Sequence, residues 1–230
     1  MSPVETLGCL VADELHTNLG RTIIGREIIV LEQTGSTNDA VLEVARDSKE
    51  GLVLFAEQQT AGRGQRGNRW ESPARKGLWF SILLRPKIDI NQSAQLTAWA
   101  AEAVSDSIQK EFFLETSIKL PNDIQIDGRK VAGVLVEMRA QERAPHLAIA
   151  GIGINVNQSL QDFPEKLRDR AISLAVALGR EVDRQKFAIA VLRNLDRTYR
   201  ETFASGVVER ITTSSRAAIS GKSVVKSRRV

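Results

Sequence analysis

Residues 124–138 read IQIDGRKVAGVLVEM, and this stretch decides the class of fold. Two runs of largely apolar residues, at 124–126 and 131–138, flank Asp127 and Gly128. An Asp-Gly pair between two such runs is typical of a tight β-hairpin, because both residues tolerate the positive φ that the turn requires. The stretch therefore predicts two neighbouring antiparallel strands.

Working outward from this hairpin, helices and strands are grouped and do not alternate regularly. Further strands are predicted at residues 23–33 with a break near Gly25, and at 52–57, 78–85, 116–119 and 146–157. Helices are predicted from a capping box at Ser2 to a stop at Gly20, after Ser36 or Thr37, at 91–111, and from Asp183 to about Phe203. This order predicts an α+β fold whose mixed, largely antiparallel sheet is flanked by helices.

Composition limits the classes of protein that the chain can represent. With 230 residues, 42% hydrophobic and 26% charged, the chain can bury one substantial core. A single cysteine excludes an internal disulfide framework and is typical of a reducing compartment, so we expect a cytoplasmic protein. No apolar run is long enough to span a membrane.

The formal net charge of +4 is concentrated at one end of the chain. Residues 206–230 contain six lysines or arginines and one glutamate, a balance of +5, which leaves about −1 for the rest. A nucleic-acid-binding protein is expected to carry a basic stripe on its folded surface. The distribution therefore argues against a nucleic-acid partner.

Residues 60–70 read TAGRGQRGNRW and are rich in glycine and arginine. The spacing of Gly62, Gly64 and Gly67 matches the dinucleotide fingerprint, but no helix is predicted after it, which disfavours a Rossmann site. Glycines let a backbone approach a ligand closely, and arginines donate to carboxylates and phosphates. The segment predicts a loop that wraps an anionic ligand, with Trp70 as an apolar lid. A solvated basic loop is the alternative.

Polar and glycine-rich positions elsewhere would complete a ligand site. Residues 36–38, Ser-Thr-Asn, are predicted to start a helix, where side chains and N–H groups can both cap and donate to a small polar ligand. With the carboxamide of Gln59 they suit a urea or an amide. Gly151 and Gly153 are predicted to leave room above the sheet for a flat ligand.

Residues 119–123, Lys-Leu-Pro-Asn-Asp, bring a cation, an amide and a carboxylate together. Asp123 is a candidate magnesium ligand, because Mg²⁺ takes one or two carboxylates plus phosphate oxygens; ordinary turn chemistry is the alternative. Lys130, across the hairpin, would neutralise a carboxylate that attacks phosphorus. Glu137 lies at an alternating position on the same strand and is interpreted as facing solvent.

The sequence offers no activated nucleophile. His16 and His146 are far apart and have no metal-ligand spacing, and Cys9 lies in a predicted helix without an evident base. An anion-binding pocket without its own nucleophile is typical of a synthetase, in which the ligand's own acid group is activated.

Taken together, these segments resemble the biotin protein ligases. The resemblance covers roughly residues 30–200, in family order. It rests on Ser36-Thr37-Asn38, Gln59-Thr60-Ala61-Gly62-Arg63-Gly64 with Gly67 and Trp70, Lys119-x-Pro121-Asn122-Asp123, Arg129-Lys130-x-Ala132-Gly133-x-Leu135-x-Glu137, and Gly151-Ile152-Gly153-Ile154-Asn155.

The resemblance implies a class II synthetase-like fold and an ATP-dependent ligase. Such an enzyme joins biotin to ATP, giving biotinyl-5′-adenylate, and passes biotin to a lysine of a biotin carboxyl carrier protein, as in acetyl-CoA carboxylase. It implies ATP, biotin and Mg²⁺ as the small molecules involved. A lipoate-type protein ligase and a non-catalytic biotin- or adenylate-binding protein are the alternatives.

The resemblance also implies roles for individual residues, with Lys130 and Arg63 as the catalytic pair. The implied biotin-binding residues are Ser36, Thr37, Asn38, Gln59, Gly62, Arg63, Gly64, Gln65, Lys130, Gly133, Gly151 and Gly153. The implied nucleotide-binding residues are Arg66, Gly67, Trp70, Lys119, Asn122 and Asn155, with Asp123 as the metal ligand.

The chain departs from the family pattern at three places. Gln65 and Asn68 stand where well-known members often have arginine, and Leu120 replaces a tryptophan. The family also continues into a small C-terminal β-barrel, of which residues 221–225 resemble only the opening. We therefore expect a catalytic domain at 1–205 and a basic tail or truncated barrel at 206–230.

Two expectations concern assembly and function beyond the ligase. The chain leaves no room for the DNA-binding domain of bifunctional members, so a monofunctional ligase is expected. Exposed edges of the sheet would allow a homodimer.

Overall fold

A seven-stranded sheet forms the centre of the computed structural model, which describes residues 8–141 and 145–204. In chain order the strands are β1 (Glu27–Thr34), β2 (Leu52–Gln59), β3 (Gly77–Leu84), β4 (Ser117–Lys119), β5 (Asp123–Ile126), β6 (Arg129–Arg139) and β7 (Leu147–Asn155). They are ordered β1-β2-β3-β7-β6-β5-β4 across the sheet. Strands β1 and β2 are parallel, whereas all other neighbours are antiparallel. The predicted α+β fold with a mixed, largely antiparallel sheet is confirmed.

Five α-helices lie in the same described ranges. They are α1 (Ala12–Leu19), α2 (Thr37–Val44), α3 (Ser93–Phe112), α4 (Leu174–Leu178) and α5 (Arg184–Tyr199), and α5 continues into a π-helical turn at Arg200–Ala204. The side chain of Asp183 caps α5 by accepting a hydrogen bond from the backbone of Lys186, as the sequence predicts. Among these described helices, none combines the length and the apolar character needed to cross a bilayer.

The hairpin that decides the class of fold forms as predicted. Asp127 and Gly128 have φ values of 49° and 73°, and Ile126 pairs with Arg129 across the turn. Positive φ at both turn residues matches the right-handed twist of the strands that they join.

Residues of the central strands alternate between two faces of the sheet. The even-numbered residues of β3 and β7, and those of β6 from Ala132 onward, lie in or against the main core, together with α3 and α5. On the other face, Leu83 of β3 and Ile149 of β7 pack with Val41 of α2. The odd-numbered residues of β7, and those of β6 from Gly133 onward, therefore share a face with α2, and this face carries the candidate site.

Within the described residues, the helix predicted from Ser2 to Gly20 is helical only from Ala12 onward. The proposed cap at Ser2 lies outside the described residues, and α1 starts at Ala12, after Val11 in an extended conformation. The backbone N–H of Leu10 donates to Glu57 (2.6 Å) and that of Val11 to Gln185 (3.0 Å), so tertiary contacts use these groups instead of a helix. The predicted stop at Gly20 is confirmed, with φ of 72°.

The first strand is also shorter than predicted, because residues 23–26 form a turn. The N–H groups of Ile23 and Ile24 donate to one carboxylate oxygen of Asp196, at 2.7 and 2.9 Å. Gly25 has φ of 90°, which confirms the predicted break there. The predicted tail at 206–230 lies outside the described residues.

Candidate functional site

A cavity opens on the α2 face of the sheet, between the start of α2, the hairpin after β2, and the middle of β6 and β7. Its lining consists of Ser36, Thr37, Asn38, Gln59, Arg63, Gly64, Trp70, Asn122, Lys130, Gly133, Val134, Leu135, Gly151, Ile152 and Gly153. The sequence analysis predicts all of these as site residues except Val134, Leu135 and Ile152. Segments more than 100 residues apart in the chain thus meet at one place.

A buried network of hydroxyls and amides lies at the start of α2. The carboxamide oxygen of Gln59 accepts hydrogen bonds from the backbone N–H and the hydroxyl of Thr37, at 2.9 and 3.1 Å. Its amide nitrogen donates to Ser72 at 2.9 Å. The hydroxyl of Ser81 lies 2.7 Å from that of Thr37 and 2.5 Å from the carboxamide oxygen of Asn38. These bonds determine which atom of each amide points in which direction.

Ser36 occupies the predicted N-cap position of α2, but its side chain forms no capping hydrogen bond. The N–H of Thr37 is satisfied by Gln59 instead. Ser36 is buried and borders the cavity. Its side chain therefore borders the cavity without capping the helix.

Glycines form the floor of the cavity, and protein side chains cover them. Gly133 and Gly153 face each other across β6 and β7. A Cβ on Gly153 would come within 2.5 Å of the Trp70 ring, and a Cβ on Gly151 would collide with the carboxamide of Asn38. The predicted room for a flat ligand is thus occupied in this structure by the indole of Trp70.

The ring of Trp70 lies over Gly153 and borders the cavity, and its role as a lid over a ligand stays a prediction. The remaining volume is about 40 Å³, whereas ligand pockets typically have roughly 300–1,000 Å³. The indole nitrogen is buried and has no hydrogen-bond partner among the described residues. A buried donor without an acceptor is unfavourable, so the indole N–H is a candidate hydrogen-bond donor to a ligand.

The glycine- and arginine-rich segment forms a short hairpin. The N–H of Trp70 donates to Gly62 (2.9 Å), and the N–H of Gly64 donates to Asn68 (2.7 Å). A Cβ on Gly62 would come within 2.6 Å of the Trp70 carbonyl, so this glycine allows the two arms to approach. The predicted ligand-wrapping loop therefore has an ordered backbone of its own.

Arg63 extends from this hairpin to two carboxylates. It forms two hydrogen bonds with Asp39, one of them at 2.8 Å, and its Nη2 lies 3.3 Å from Glu137 Oε2. The hydrogen bond from Arg63 lowers the pKa of the Asp39 carboxyl. In turn, the hydrogen bond with Asp39 raises the pKa of the Arg63 guanidinium further above its usual value. Arg63 is 39% exposed, so it can still reach a ligand.

Lys130 supplies the second cation at the cavity. Its ammonium nitrogen lies 2.6 Å from Asp123 Oδ1 and 5.0 Å from the centre of the Trp70 ring. Both charged side chains are about 70% buried, with exposures of 29% and 28%. The ammonium is therefore held at the rim of the cavity beside the lid.

Asp123 does not offer a metal site by itself. Its carboxylate is paired with Lys130, and the residues that the structure describes include no group of three His, Cys, Asp or Glu side chains arranged to hold a metal ion. A magnesium ion bound mainly through ATP phosphates would need only one or two carboxylates, so these observations do not test Asp123 as its ligand. The role of Asp123 as a metal ligand stays a prediction.

Several other predicted residues lie away from the cavity lining. Lys119 is exposed on β4, and the hairpin tip holds Gln65, Arg66 and Gly67. The carboxamide of Asn155 donates to the Ile172 carbonyl (3.1 Å) and accepts from Gln158 (2.9 Å), so both ends are used within the protein. The role of Gln65 toward biotin, and those of Lys119, Arg66, Gly67 and Asn155 toward a nucleotide, stay predictions.

The sequence analysis misses two carboxylates that the structure places beside the site. Glu137, interpreted as solvent-facing, accepts a hydrogen bond from Asn38 Nδ2 at 2.6 Å and is 30% exposed. Its position alternates with that of Gly133 on β6, and this period could have placed it on the site face. Asp39 has no comparable signal, because its partner Arg63 is 24 residues away.

Fold and cavity together define a class: an α+β domain with an amide-lined, cation-bearing ligand cavity beneath a glycine- and arginine-rich hairpin. The model of the biotin/lipoate A/B protein ligase family matches residues 30–155, more than half of the chain. The chain therefore belongs to this family, and the resemblance noted from its motifs is confirmed.

Named relatives agree with this assignment. The chain is 38% identical over 200 residues to the bifunctional ligase/repressor BirA of Bacillus subtilis, a match that covers 86% of this chain and 62% of that protein. It is 35% identical over 177 residues to the biotin–[acetyl-CoA-carboxylase] ligase of Mycobacterium tuberculosis, covering 74% and 63%. The chain thus spans less than two thirds of the length of these relatives.

A solved structure shows the same arrangement of elements. The biotin protein ligase from Aquifex aeolicus, in complex with biotin and ATP, superposes with a TM-score of 0.68 at 33% identity. The match covers 78% of this chain and 73% of that one.

Proposed function

We propose that this protein is an ATP-dependent biotin protein ligase. Its substrates would be biotin, ATP and a lysine of a biotin carboxyl carrier protein, in the cytoplasm. The observation that carries the proposal is the cavity that Arg63 and Lys130 share with the amide and hydroxyl network of Thr37, Asn38 and Gln59. The similarity to a ligase solved with biotin and ATP supports it.

The proposed reaction has two steps. In the first, a carboxylate oxygen of biotin attacks the α-phosphorus of ATP. The bond between this phosphorus and the oxygen that bridges to the β-phosphate breaks, and pyrophosphate leaves. In the second, the amine of the acceptor lysine attacks the acyl carbon, AMP leaves, and the amine loses a proton to solvent. Neither step needs an enzyme nucleophile, which suits a site in which the sequence offers none.

The proposed roles of the residues follow from their chemistry. The buried network at the start of α2 would hold the ureido ring, since its hydroxyls and amides are oriented before a ligand arrives. Lys130 and Arg63 would neutralise the negative charge of the reacting carboxylate and phosphate, the main requirement of adenylyl transfer. Residues 1–205 would form the catalytic domain. A homodimer through a sheet edge is likewise proposed only.

Exchange of labelled pyrophosphate into ATP tests this proposal. Purified protein should catalyse exchange that depends on biotin, and it should then label the lysine of a carrier domain. Exchange with lipoate in place of biotin would identify a lipoate-type ligase. Biotin binding without exchange would identify a non-catalytic binding protein, and folded protein that neither binds nor exchanges would refute the proposal.

A further inference from the structure

One oxygen of Glu137 connects two parts of the candidate site. Glu137 Oε2 accepts a hydrogen bond from Asn38 Nδ2 at 2.6 Å and another from Arg63 Nη2 at 3.3 Å. Asn38 belongs to the buried network at the start of α2, whereas Arg63 belongs to the hairpin over the cavity. The carboxylate lies between them on the site face of β6.

The contact determines the orientation of the Asn38 carboxamide. A carboxylate only accepts hydrogen bonds, so the NH₂ group of Asn38 must face Glu137. The carboxamide oxygen then faces Ser81 at 2.5 Å, with Gly151 beneath it. Asn38 is 4% exposed and has little freedom to turn otherwise.

The same contact ties the hairpin to the sheet. Asp39 holds the guanidinium of Arg63 at the start of α2, and Glu137 holds it at β6. The guanidinium has five N–H donors, and these contacts use three of them, so donors remain for a ligand. Arg63 can therefore stay attached to both carboxylates while it contacts an anion.

We infer that Glu137 is a positioning residue, which orders the site by holding Asn38 and Arg63 through a single oxygen. The inference rests on the proposed function for its ligand, biotin, but its geometric part concerns the protein alone. It assigns Glu137 no contact with the reacting atoms. Glu137 differs in this respect from an ordinary charged residue on a strand, because any effect of Glu137 on binding must pass through Asn38 and Arg63.

Substitution of Glu137 by glutamine keeps the size of the side chain but removes the charge and one accepting group. We expect Glu137→Gln to weaken biotin binding roughly tenfold in calorimetry, because a charge-assisted hydrogen bond that orients Asn38 is lost. Glu32→Gln is the matched control. Glu32 is also a strand glutamate 3.3 Å from an arginine, Arg75, but it does not border the cavity, and biotin affinity should not change.

A double substitution tests whether Glu137 acts through Asn38. In an Asn38→Ala background, Glu137→Gln should weaken biotin binding by less than about threefold, since the group that it orients is already gone. A full tenfold loss in that background would overturn the part of the inference in which Glu137 acts through Asn38. Unchanged binding by the single Glu137→Gln variant would overturn it as well.

A ligand-free measurement separates this inference from the proposed function. The arginines of the hairpin make it a substrate for trypsin, and loosening one ion pair of Arg63 should speed cleavage in the native protein roughly two- to fivefold. Mass spectrometry of the fragments identifies the cleaved bond. An unchanged cleavage rate in Glu137→Gln refutes the positioning role, whereas failure of the wild-type protein to bind biotin refutes the function instead.

Discussion

Two arginine–carboxylate groups in this molecule have the same chemistry and different surroundings. Arg184 lies 2.6 Å from Glu57, and their side chains are 4% and 2% exposed. Arg63 contacts Asp39 and Glu137, with 39%, 53% and 30% exposure. The first group lies in the interior, where water cannot replace a lost partner, and the second lies at the entrance to the cavity.

Burial decides what each group can do. Arg184 also donates to the carbonyls of Gly8 and Gly77, and Glu57 accepts from the N–H of Leu10, so each buried charge has further hydrogen-bond partners. Such a network joins α5, β2, β3 and the segment before α1. The exposed group is screened by solvent and can add or exchange partners at little cost. The buried Arg184–Glu57 pair is therefore structural, whereas the exposed Arg63 group is available to a ligand.

The largest expected effect comes from breaking the buried group. Arg184→Met should lower the free energy of unfolding by about 3–5 kcal/mol, because it leaves the charge of Glu57 buried without an opposite charge. Urea denaturation measures the loss. Arg75→Met, which breaks the exposed pair with Glu32, is the control and should change the free energy of unfolding far less than Arg184→Met does. Similar losses in both variants would contradict the contrast.

Lys130 and Asp123, with intermediate exposure, sharpen the comparison. Lys130→Ala should slow biotin-dependent pyrophosphate exchange by roughly 10²–10³-fold, because the proposed role of Lys130 is to supply a preorganised charge at the reacting phosphate. Biotin affinity should fall far less. Lys110→Ala, on the exposed surface of α3, should leave exchange unchanged. Equal losses of exchange and of biotin affinity would show that the role of Lys130 is misassigned.

Whereas Arg184→Met should mainly reduce stability, Arg63→Ala should mainly reduce pyrophosphate exchange. We expect exchange to fall by roughly 10–100-fold, as for loss of one charged hydrogen bond to the ligand. The free energy of unfolding should change by less than about 1 kcal/mol, because the removed pair is exposed. Parallel kinetic and urea-denaturation measurements check both values. A large loss of stability with little loss of exchange would make Arg63 structural.

The smallest expected effect is on how the free energy of unfolding depends on pH. Because Arg63 lowers the pKa of Asp39 in the folded protein, the pair stabilises the fold above the unfolded carboxyl pKa of about 3.9 and loses this contribution as pH falls through the folded value. Asp39→Asn should therefore cost at most about 0.5–1 kcal/mol near neutral pH, after discounting for solvent screening. Urea denaturation from pH 7 to pH 3 should show this difference shrinking. A difference that grows on acidification would contradict it.

Much of the fold can be predicted from local sequence patterns. The Asp127-Gly128 turn, the cap at Asp183 and the stop at Gly20 each follow from the backbone preferences of one or two residues, and all three are confirmed. The start of α1 at Ala12 cannot be predicted from local backbone preferences. It depends on contacts with Glu57 and Gln185, which local propensity does not register.

The candidate site shows the same division. Glycines and arginines at 60–70, the polar triplet at 36–38 and Lys130 indicate the type of chemistry, because ligand binding requires particular functional groups. The burial of the Trp70 ring over Gly153 and the partners of Arg63 are not predictable from these types. They depend on how close separate segments come in space.

The sequence by itself therefore determined the fold class, the family and most of the residues that border the cavity. Only the tertiary structure decided that Asp123 pairs with Lys130, that Glu137 faces Asn38 and Arg63, and that Trp70 fills the glycine floor. The physical reason is the difference in sequence separation between the two kinds of interaction. Turn and capping preferences act between neighbours in the chain, whereas a charged hydrogen bond forms wherever folding brings two groups within about 3 Å.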